Sequence, residues 1–269
     1  MTTLDVLGQT FVRLGSGRLE GAFDETWYQG RTIFGGLVAA VLARASTEAV
    51  DDPTRMPRSL TVQYAAPVVH GPVVAKAEVV RAGKHVTQTA ARLEQDGRAV
   101  ALALASFGAP RTHVLDVRPS GAPPVPRFDE LVAMPKNVPG APTFTQHVDL
   151  RFAMGSLPFS GAKTPEIGGW CRLRRPAPHL ETLCALLDAW PTPALSMLSR
   201  PSPAATIDST VHFLAELPLR SESTEPYEGP YLFHCVSPTI EHGYGEHLGE
   251  LWTDEGRLVG RVRQMAAVF

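Results

Sequence analysis

Cysteine is scarce in this sequence, and the few cysteines follow no pairing pattern. The 269 residues include three cysteines, Cys171, Cys184 and Cys235. An odd number without Cys-x-x-Cys spacing predicts neither a disulfide framework nor a zinc knuckle. We therefore expect the thiols to serve as small, partly buried apolar groups in a reduced, cytoplasmic protein.

Charge of one sign and long apolar runs are also missing. The net charge is −2, and no basic run alternates with aromatic residues, so we expect no nucleic-acid partner. Gly, Arg or Pro interrupts each apolar stretch well before the roughly 20 residues of a membrane span. Residues 1–5, MTTLD, lack the pattern of a signal peptide. The 44% of hydrophobic residues can nevertheless form a substantial core.

Several catalytic patterns are absent as well. The sequence contains no Gly-x-Ser-x-Gly motif, which disfavours a serine hydrolase with a nucleophile elbow. Its nine histidines show no His-Glu-x-x-His or comparable spacing, so we expect no metal site and no cofactor. His242 and His247 lie around a turn, where solvent exposure is as good an interpretation as function.

The chain does contain an internal repeat. Residues 61–64 read TVQY and residues 210–213 read TVHF, while DGRAVA at 96–101 is matched by EGRLVG at 255–260. A repeat of this size indicates two similar modules packed against each other.

Each module has the pattern of one buried helix and an antiparallel meander, which predicts an α+β fold. The helix at 34–45 is apolar nearly all round, which is typical of a buried helix. A proline-rich connection separates the modules, with Phe128, Leu131 and Phe144 as candidate anchors on the surface. The other predicted elements are strands at 59–67, 71–81, 85–94, 98–107, 148–154 and 168–174, a helix at 179–190, and strands at 205–214, 231–236, 246–253 and 257–268.

Three polar residues break the apolar patterns of the second module. Asp188 lies at the edge of the apolar stripe of the second helix, where a carboxylate needs a partner or solvent. Strict alternation places Gln264 on the apolar side of the last strand, where its amide must be hydrogen-bonded. Thr206 begins a strand, which alone indicates little. A solvent-facing Asp188 and a purely structural Gln264 remain open interpretations.

The first module lacks these polar groups. The repeat offsets match the three residues to Ala39, Pro57 and Ala105, and none of these side chains can hold a water molecule. A polar site formed by the three would therefore occur once per chain.

Short stretches of the sequence resemble the acyl-CoA thioesterase II (TesB-like) family. They are QGRTIFGG at 29–36, RAGK at 81–84, ATID at 205–208 and the terminal strand with Gln264. The resemblance implies a double hotdog, with two antiparallel sheets each wrapped around a central helix. The implied domains are an N-terminal hotdog at 1–108, a proline-rich linker at 109–145 and a C-terminal hotdog at 146–269 that carries the catalytic residues.

The resemblance also implies a site and a substrate. Asp188, Thr206 and Gln264 match the family's catalytic Asp, Thr and Gln, which would activate a water to hydrolyse acyl-CoA. Backbone N–H groups at Gly35 and Gly36 are candidates for binding the oxyanion. A homodimer or higher homo-oligomer is implied as well.

Two other functions remain open at this point. One is a hotdog enoyl-thioester hydratase or dehydratase, which would need an Asp–His pair. His179 and Asp188 are too far apart along one helix to form such a pair locally. The other is a non-catalytic acyl-CoA-binding module, in which the polar residues only complete the core.

Overall fold

The computed structural model describes residues 2–109, 111, 115, 117, 121–136, 138–221 and 225–269. The helices are α1 (Gly35–Val50), α2 (His179–Leu186) and α3 (Ala194–Met197), with 3₁₀ turns at Glu25–Trp27, Phe128–Glu130 and Thr143–His147. The strands are β1 (Thr2–Val6), β2 (Gln9–Arg13), β3 (Arg18–Phe23), β4 (Tyr28–Gln29), β5 (Thr32–Ile33), β6 (Met56–Tyr64), β7 (Gly71–Ala82), β8 (Val86–Gln95), β9 (Arg98–Gly108), β10 (Val148–Gly155), β11 (Glu166–Leu173), β12 (Ala204–Phe213), β13 (Tyr231–Glu241), β14 (Tyr244–Thr253) and β15 (Leu258–Val268).

Thirteen of these strands form one continuous antiparallel sheet. Its order is β1-β2-β3-β7-β8-β9-β6-β12-β15-β14-β13-β11-β10, and β4 and β5 form a separate ribbon. The expected α+β class and the meanders are present. The expected two separate sheets are not, because β6 of the first half pairs with β12 of the second.

The repeated segments lie side by side at the centre of this sheet. Thr61 and Thr210 are directly opposite each other, and their hydroxyl oxygens are 3.1 Å apart. The same bulge interrupts both halves, between Pro57 and Ser59 in β6 and between Thr206 and Asp208 in β12. The two halves are thus related by an approximate two-fold axis at the Thr61–Thr210 pair.

The helices α1 and α2 pack against each other, and α1 also contacts β7 and β8. The second helix ends at Leu186, short of the predicted 190, and Asp188 lies in the turn that follows. The backbone N–H of Asp188 donates to the carbonyl of Ala185, three residues earlier, at 3.2 Å, so the chain forms a tighter turn there than in an α-helix. Pro191 disfavours the helical conformation of Trp190, so the helix cannot continue past the predicted end.

The connection between the halves covers the outer face of the second half. Phe128 is buried there against Trp170, whose indole N–H donates to the carbonyl of Pro126 at 2.9 Å. Phe144 stacks on Phe34 with ring centroids 4.0 Å apart, and Leu131 packs against the Phe128 cluster, so the predicted anchoring is confirmed. Residues 110, 112–114, 116, 118–120 and 137 of this connection lie outside the described residues.

Within the described residues, no helix combines the length and apolarity needed to cross a membrane.

Candidate active site

Asp188 is a partly buried carboxylate held by two donors. The amide Nε2 of Gln264 donates to its Oδ1 at 2.6 Å, and the backbone N–H of Gly36 also donates to the carboxyl group. Burial disfavours the charged form more than these two bonds favour it, and it raises the pKa of Asp188 to about 7. The carboxyl group can therefore gain or lose a proton near neutral pH.

Gln264 reaches Asp188 from the middle of the second half-sheet. It lies on β15 opposite Ser209 of β12 on one side and His247 of β14 on the other. Arg261 and Arg263 are exposed on the other face, as the alternation predicts. The inward direction of Gln264 thus follows from the pleat of the strand, and its amide is hydrogen-bonded as expected.

Thr206 lies near this pair without joining it. It is opposite Ala266, and the bulge that follows puts it on the same face of the sheet as Gln264, two positions further along β15. In the described part of the chain, no hydrogen bond connects its side chain to Asp188 or Gln264. The structure therefore brings Asp188 and Gln264 together and leaves Thr206 beside them.

The N-terminus of α1 points at Asp188 through two glycines. A Cβ added at Gly35 would be 2.7 Å from Asp188 Oδ2, and one at Gly36 would be 2.5 Å from the Phe34 ring and 2.9 Å from the Cα of Ala185. Only glycine fits at either position without a shift. The free N–H groups of a helix N-terminus favour negative charge, so α1 stabilises an anion at this point.

Two residues of the site were missed in the sequence. Tyr64 donates to the carbonyl of Gly35 at 3.2 Å, and its hydroxyl is 3.5 Å from that of Ser209, which is buried. Burial, and next the charge of Asp188, raise the pKa of the Tyr64 phenol, so it stays protonated. The signal was present in the repeat, because Tyr64 is matched by Phe213, a ring without a hydroxyl.

His247 is another missed residue, and solvent exposure was the wrong interpretation for it. Its side chain is buried, with 2% exposure, whereas His242 is exposed. Its Nε2 is 2.6 Å from the hydroxyl oxygen of Thr192, and burial lowers its pKa to about 4. The strand alternation carried the signal, since Gly245, His247 and Gly249 all face inward.

The nearby thiol serves packing. Cys184 lies one turn before Asp188 and is 1% exposed. Burial raises the pKa of its thiol, so little reactive thiolate is available. All three cysteines are unpaired and buried, in agreement with their expected role as apolar groups.

Known structures place this architecture in the hotdog fold. A conserved protein of unknown function with a hot dog fold from Alicyclobacillus acidocaldarius is 26% identical, with a TM-score of 0.83 over 96% of this chain and 95% of that one. The acyl-CoA thioesterase II TesB2 of Mycobacterium marinum is 20% identical, with a TM-score of 0.73 over 96% and 95% of the two chains. The tesB protein of Mycobacterium avium subs paratuberculosis is 17% identical, with a TM-score of 0.76 over 98% and 97%.

Family models identify the two halves. Residues 23–108 match the acyl-CoA thioesterase N-terminal domain, and residues 119–268 match the acyl-CoA thioesterase C-terminal domain. The second match alone covers more than half of the chain, so the protein belongs to the acyl-CoA thioesterase family, as the TesB-like resemblance implied. It is a thioester hydrolase. Among curated proteins, none matches the chain significantly.

Proposed function

We propose that this enzyme hydrolyses acyl-CoA to a free acid and CoA with a water molecule activated by Asp188. One observation carries the proposal: a carboxyl group with a pKa of about 7 is held by Gln264 at the positive N-terminus of α1. A general base is most effective when its pKa lies near the working pH. Since a desolvated carboxyl group is expensive to bury, a purely structural role would not require it here.

The reaction needs a base and a binding site for the oxyanion. Asp188 takes a proton as the water oxygen attacks the thioester carbonyl carbon. The C–S bond then breaks, and the CoA thiolate leaves with the proton from Asp188. Gln264 holds the carboxyl group through Oδ1. Oδ2, which lies against Gly35, is assigned to take the proton of the water through a remaining lone pair. Thr206, on the same face of the sheet, is assigned to hold that water together with Gln264.

We assign different roles to the backbone N–H groups of the two glycines, Gly35 and Gly36. The N–H of Gly36 donates to the Asp188 carboxyl group, so in this arrangement it positions the base. The N–H of Gly35 is then our candidate donor to the oxyanion. If Asp188 moves away, the N–H of Gly36 becomes a second donor to it. Such preorganised backbone donors stabilise the charge that develops on the carbonyl oxygen.

The finer architecture follows the same proposal. We assign residues 1–108 and 146–269 to two hotdog domains of a double hotdog, joined by the linker 109–145. The site would exist once, because Ala105 occupies the place of Gln264 in the first half: it pairs with Leu60 and Thr89 as Gln264 pairs with Ser209 and His247. The sheet ends at β1 and β10, and these edges are candidate sites for a homodimer or larger homo-oligomer.

A hydratase fits the site less well. His179 accepts a hydrogen bond from the N–H of Leu219 at Nδ1, and its Nε2 is 2.8 Å from the carbonyl oxygen of Tyr227, so both ring nitrogens are occupied structurally. His247 meets Gln264 rather than Asp188. Neither His179 nor His247 therefore forms a pair with Asp188 for adding water to an enoyl group.

The test is thiol release from a panel of acyl-CoAs by the wild type, Asp188→Asn and Asp208→Asn. Asp188→Asn keeps the shape and removes the base, so we expect hydrolysis to fall by about 10²–10⁴-fold. Asp208 is the matched control, because it lies opposite Met265 on the face of the sheet away from Gln264. Its variant should keep near wild-type rates. Full activity in Asp188→Asn would reject the assignment, and a folded wild type that releases no thiol would favour a binding module.

A further inference from the structure

We propose that His247, held in turn by Thr192, is a positioning residue that fixes the amide of Gln264 in the orientation that donates to Asp188. This inference rests on the proposed function and extends it to residues behind the reacting groups. It follows from a continuous set of contacts from Thr192 through His247 and Gln264 to Asp188.

His247 lies directly opposite Gln264 in the β14–β15 pair, within hydrogen-bonding reach of its side chain. The Nε2 of His247 is 2.6 Å from the Thr192 hydroxyl oxygen. That oxygen also accepts a bond from the N–H of Ala194 at 3.3 Å. The buried imidazole is thus held at Nε2, and the register leaves Nδ1 as the ring nitrogen that we assign to Gln264.

The positions of the protons follow from the donors available. Thr192 accepts from Ala194, so its own hydroxyl hydrogen is free to donate to Nε2 of His247. A pKa of about 4 keeps this ring neutral, and its single hydrogen is then on Nδ1. Gln264 donates its NH₂ group to Asp188, so its Oε1 needs a donor on the opposite side. The Nδ1–H of His247 supplies that donor.

This arrangement selects one of two amide orientations. With the amide reversed, Oε1 of Gln264 would face the carboxylate of Asp188, and the two acceptors would repel. The hydrogen bond from Gln264 lowers the pKa of Asp188, so its loss must raise that pKa further. The same loss would also move the water that Gln264 helps to hold.

Other titratable groups also lie around Asp188 and His247, and they do not mask the expected shift in the pKa of Asp188. Tyr64 on β6 and Cys184 on α2 both have pKa values raised by burial and stay neutral through the working range. Glu246 on β14 opposes the lowering of the pKa of His247, but burial has the largest effect and the pKa remains lowered.

The experiment compares pH profiles of kcat/KM for His247→Phe, His247→Asn and the reference variant Gln264→Leu. Loss of a hydrogen bond to a charged group should move the acid limb upward by about one pH unit, in Gln264→Leu and His247→Phe alike. At pH 7 this corresponds to a loss of activity of about tenfold or less. Asn at position 247 replaces Nδ1–H with an amide N–H, so it should keep the wild-type limb.

Thr192→Val supplies a milder perturbation should His247→Phe fail to fold. Without its hydroxyl, the His247 tautomer is no longer fixed, and an upward shift between those of the wild type and Gln264→Leu is expected. The inference is overturned if Gln264→Leu moves the acid limb while folded His247→Phe, or Thr192→Val in its place, does not. It is also overturned if His247→Asn shifts as far as His247→Phe. Full activity in Asp188→Asn would instead reject the proposed function on which this inference rests.

Discussion

At the residue scale, the catalytic role that we propose for Asp188 comes with a cost to stability. Its carboxyl group keeps two donors, Gln264 and Gly36, yet its pKa is raised to about 7 because it is removed from water. Its charged form is therefore less favourable in the folded protein than in the unfolded chain. Active sites commonly retain such groups because the reaction needs them.

Because of this raised pKa, we expect the free energy of unfolding to depend on pH. The pKa of Asp188 is about 7 in the folded state against 3.8 for the free side chain. Between these values the folded state binds a proton that the unfolded state lacks, so the contribution of Asp188 to stability falls as the pH rises through that window. Asparagine does not titrate. We expect Asp188→Asn to gain free energy of unfolding relative to the wild type on going from pH 5 to pH 8, measured by urea unfolding.

The control for this measurement is again Asp208→Asn, which also removes one carboxyl group but lies on the face of the sheet away from Gln264. His247 has the opposite sign, since its lowered pKa adds stability that is lost as the pH falls from 6.5 toward 4. It is present in all three proteins and cancels in the comparison. A pH-independent difference between Asp188→Asn and the wild type would contradict the raised pKa.

At the element scale, the α1–α2 pair has one end at the proposed site and another end that carries an ion pair. Gly36 meets Ala185 and Asp188 at the first. At the other, the Nε of Arg44 donates to Glu181 Oε1 at 2.6 Å, and the Glu181 side chain is 1% exposed. Burial raises the pKa of Glu181, and Arg44 opposes that shift. This ion pair therefore helps to set how the helices meet, away from the proposed site.

Breaking the ion pair from one side should be more harmful than removing it. Arg44→Met leaves Glu181 buried without its partner, and we expect a loss of about 3–5 kcal/mol in the free energy of unfolding. Adding Glu181→Met should recover most of that loss, because two apolar side chains can pack in the same place. Urea unfolding of both variants checks this. Equal destabilisation of the single and double variants would count against it, and kcat of the double variant should stay close to wild type.

At the scale of the whole molecule, two related halves share one sheet but have different surroundings. The outer face of the second half is covered by the connection, through a cluster of Phe128, Trp170, Leu232 and Trp252. This cluster is separate from the core that contains the two helices. The connection is thus a structural part of the second half as well as a tether.

Phe128→Ala tests that role. Truncating a buried aromatic ring should cost about 3 kcal/mol, at the low end for such changes, because this cluster lies near the surface. Activity at low temperature should be kept, since the cluster lies across the sheet from Asp188. Val132→Ala is the matched control, as Val132 is 90% exposed in the same connection. If both variants unfold at the same urea concentration as the wild type, the connection contributes no stability.

The patterns of the sequence were sufficient for most of the fold. The repeat at Thr61 and Thr210, the apolar first helix and the alternation in the last strand predicted two halves, a buried helix and the inward direction of Gln264. The N-terminal strands β1–β3 were missed, since residues 2–23 were not assigned to any element. The end of α2 was placed too late, because the buried apolar residues Leu187, Ala189 and Trp190 continue beyond the last helical residue, Leu186.

Local pattern determines which side chains face inward, because the period of a strand or helix needs no knowledge of its neighbours. It therefore indicated Gln264 and the edge position of Asp188. Which inward groups meet is a matter of register and helix packing between residues far apart in the chain. The hydrogen bond of Asp188 to Gln264, the approach of Gly36 and the contacts of His247 all depend on that packing. Joining β6 to β12 brings the two halves into one sheet, and the packing of α1 against α2 brings the start of the first helix to the carboxyl group of the second half.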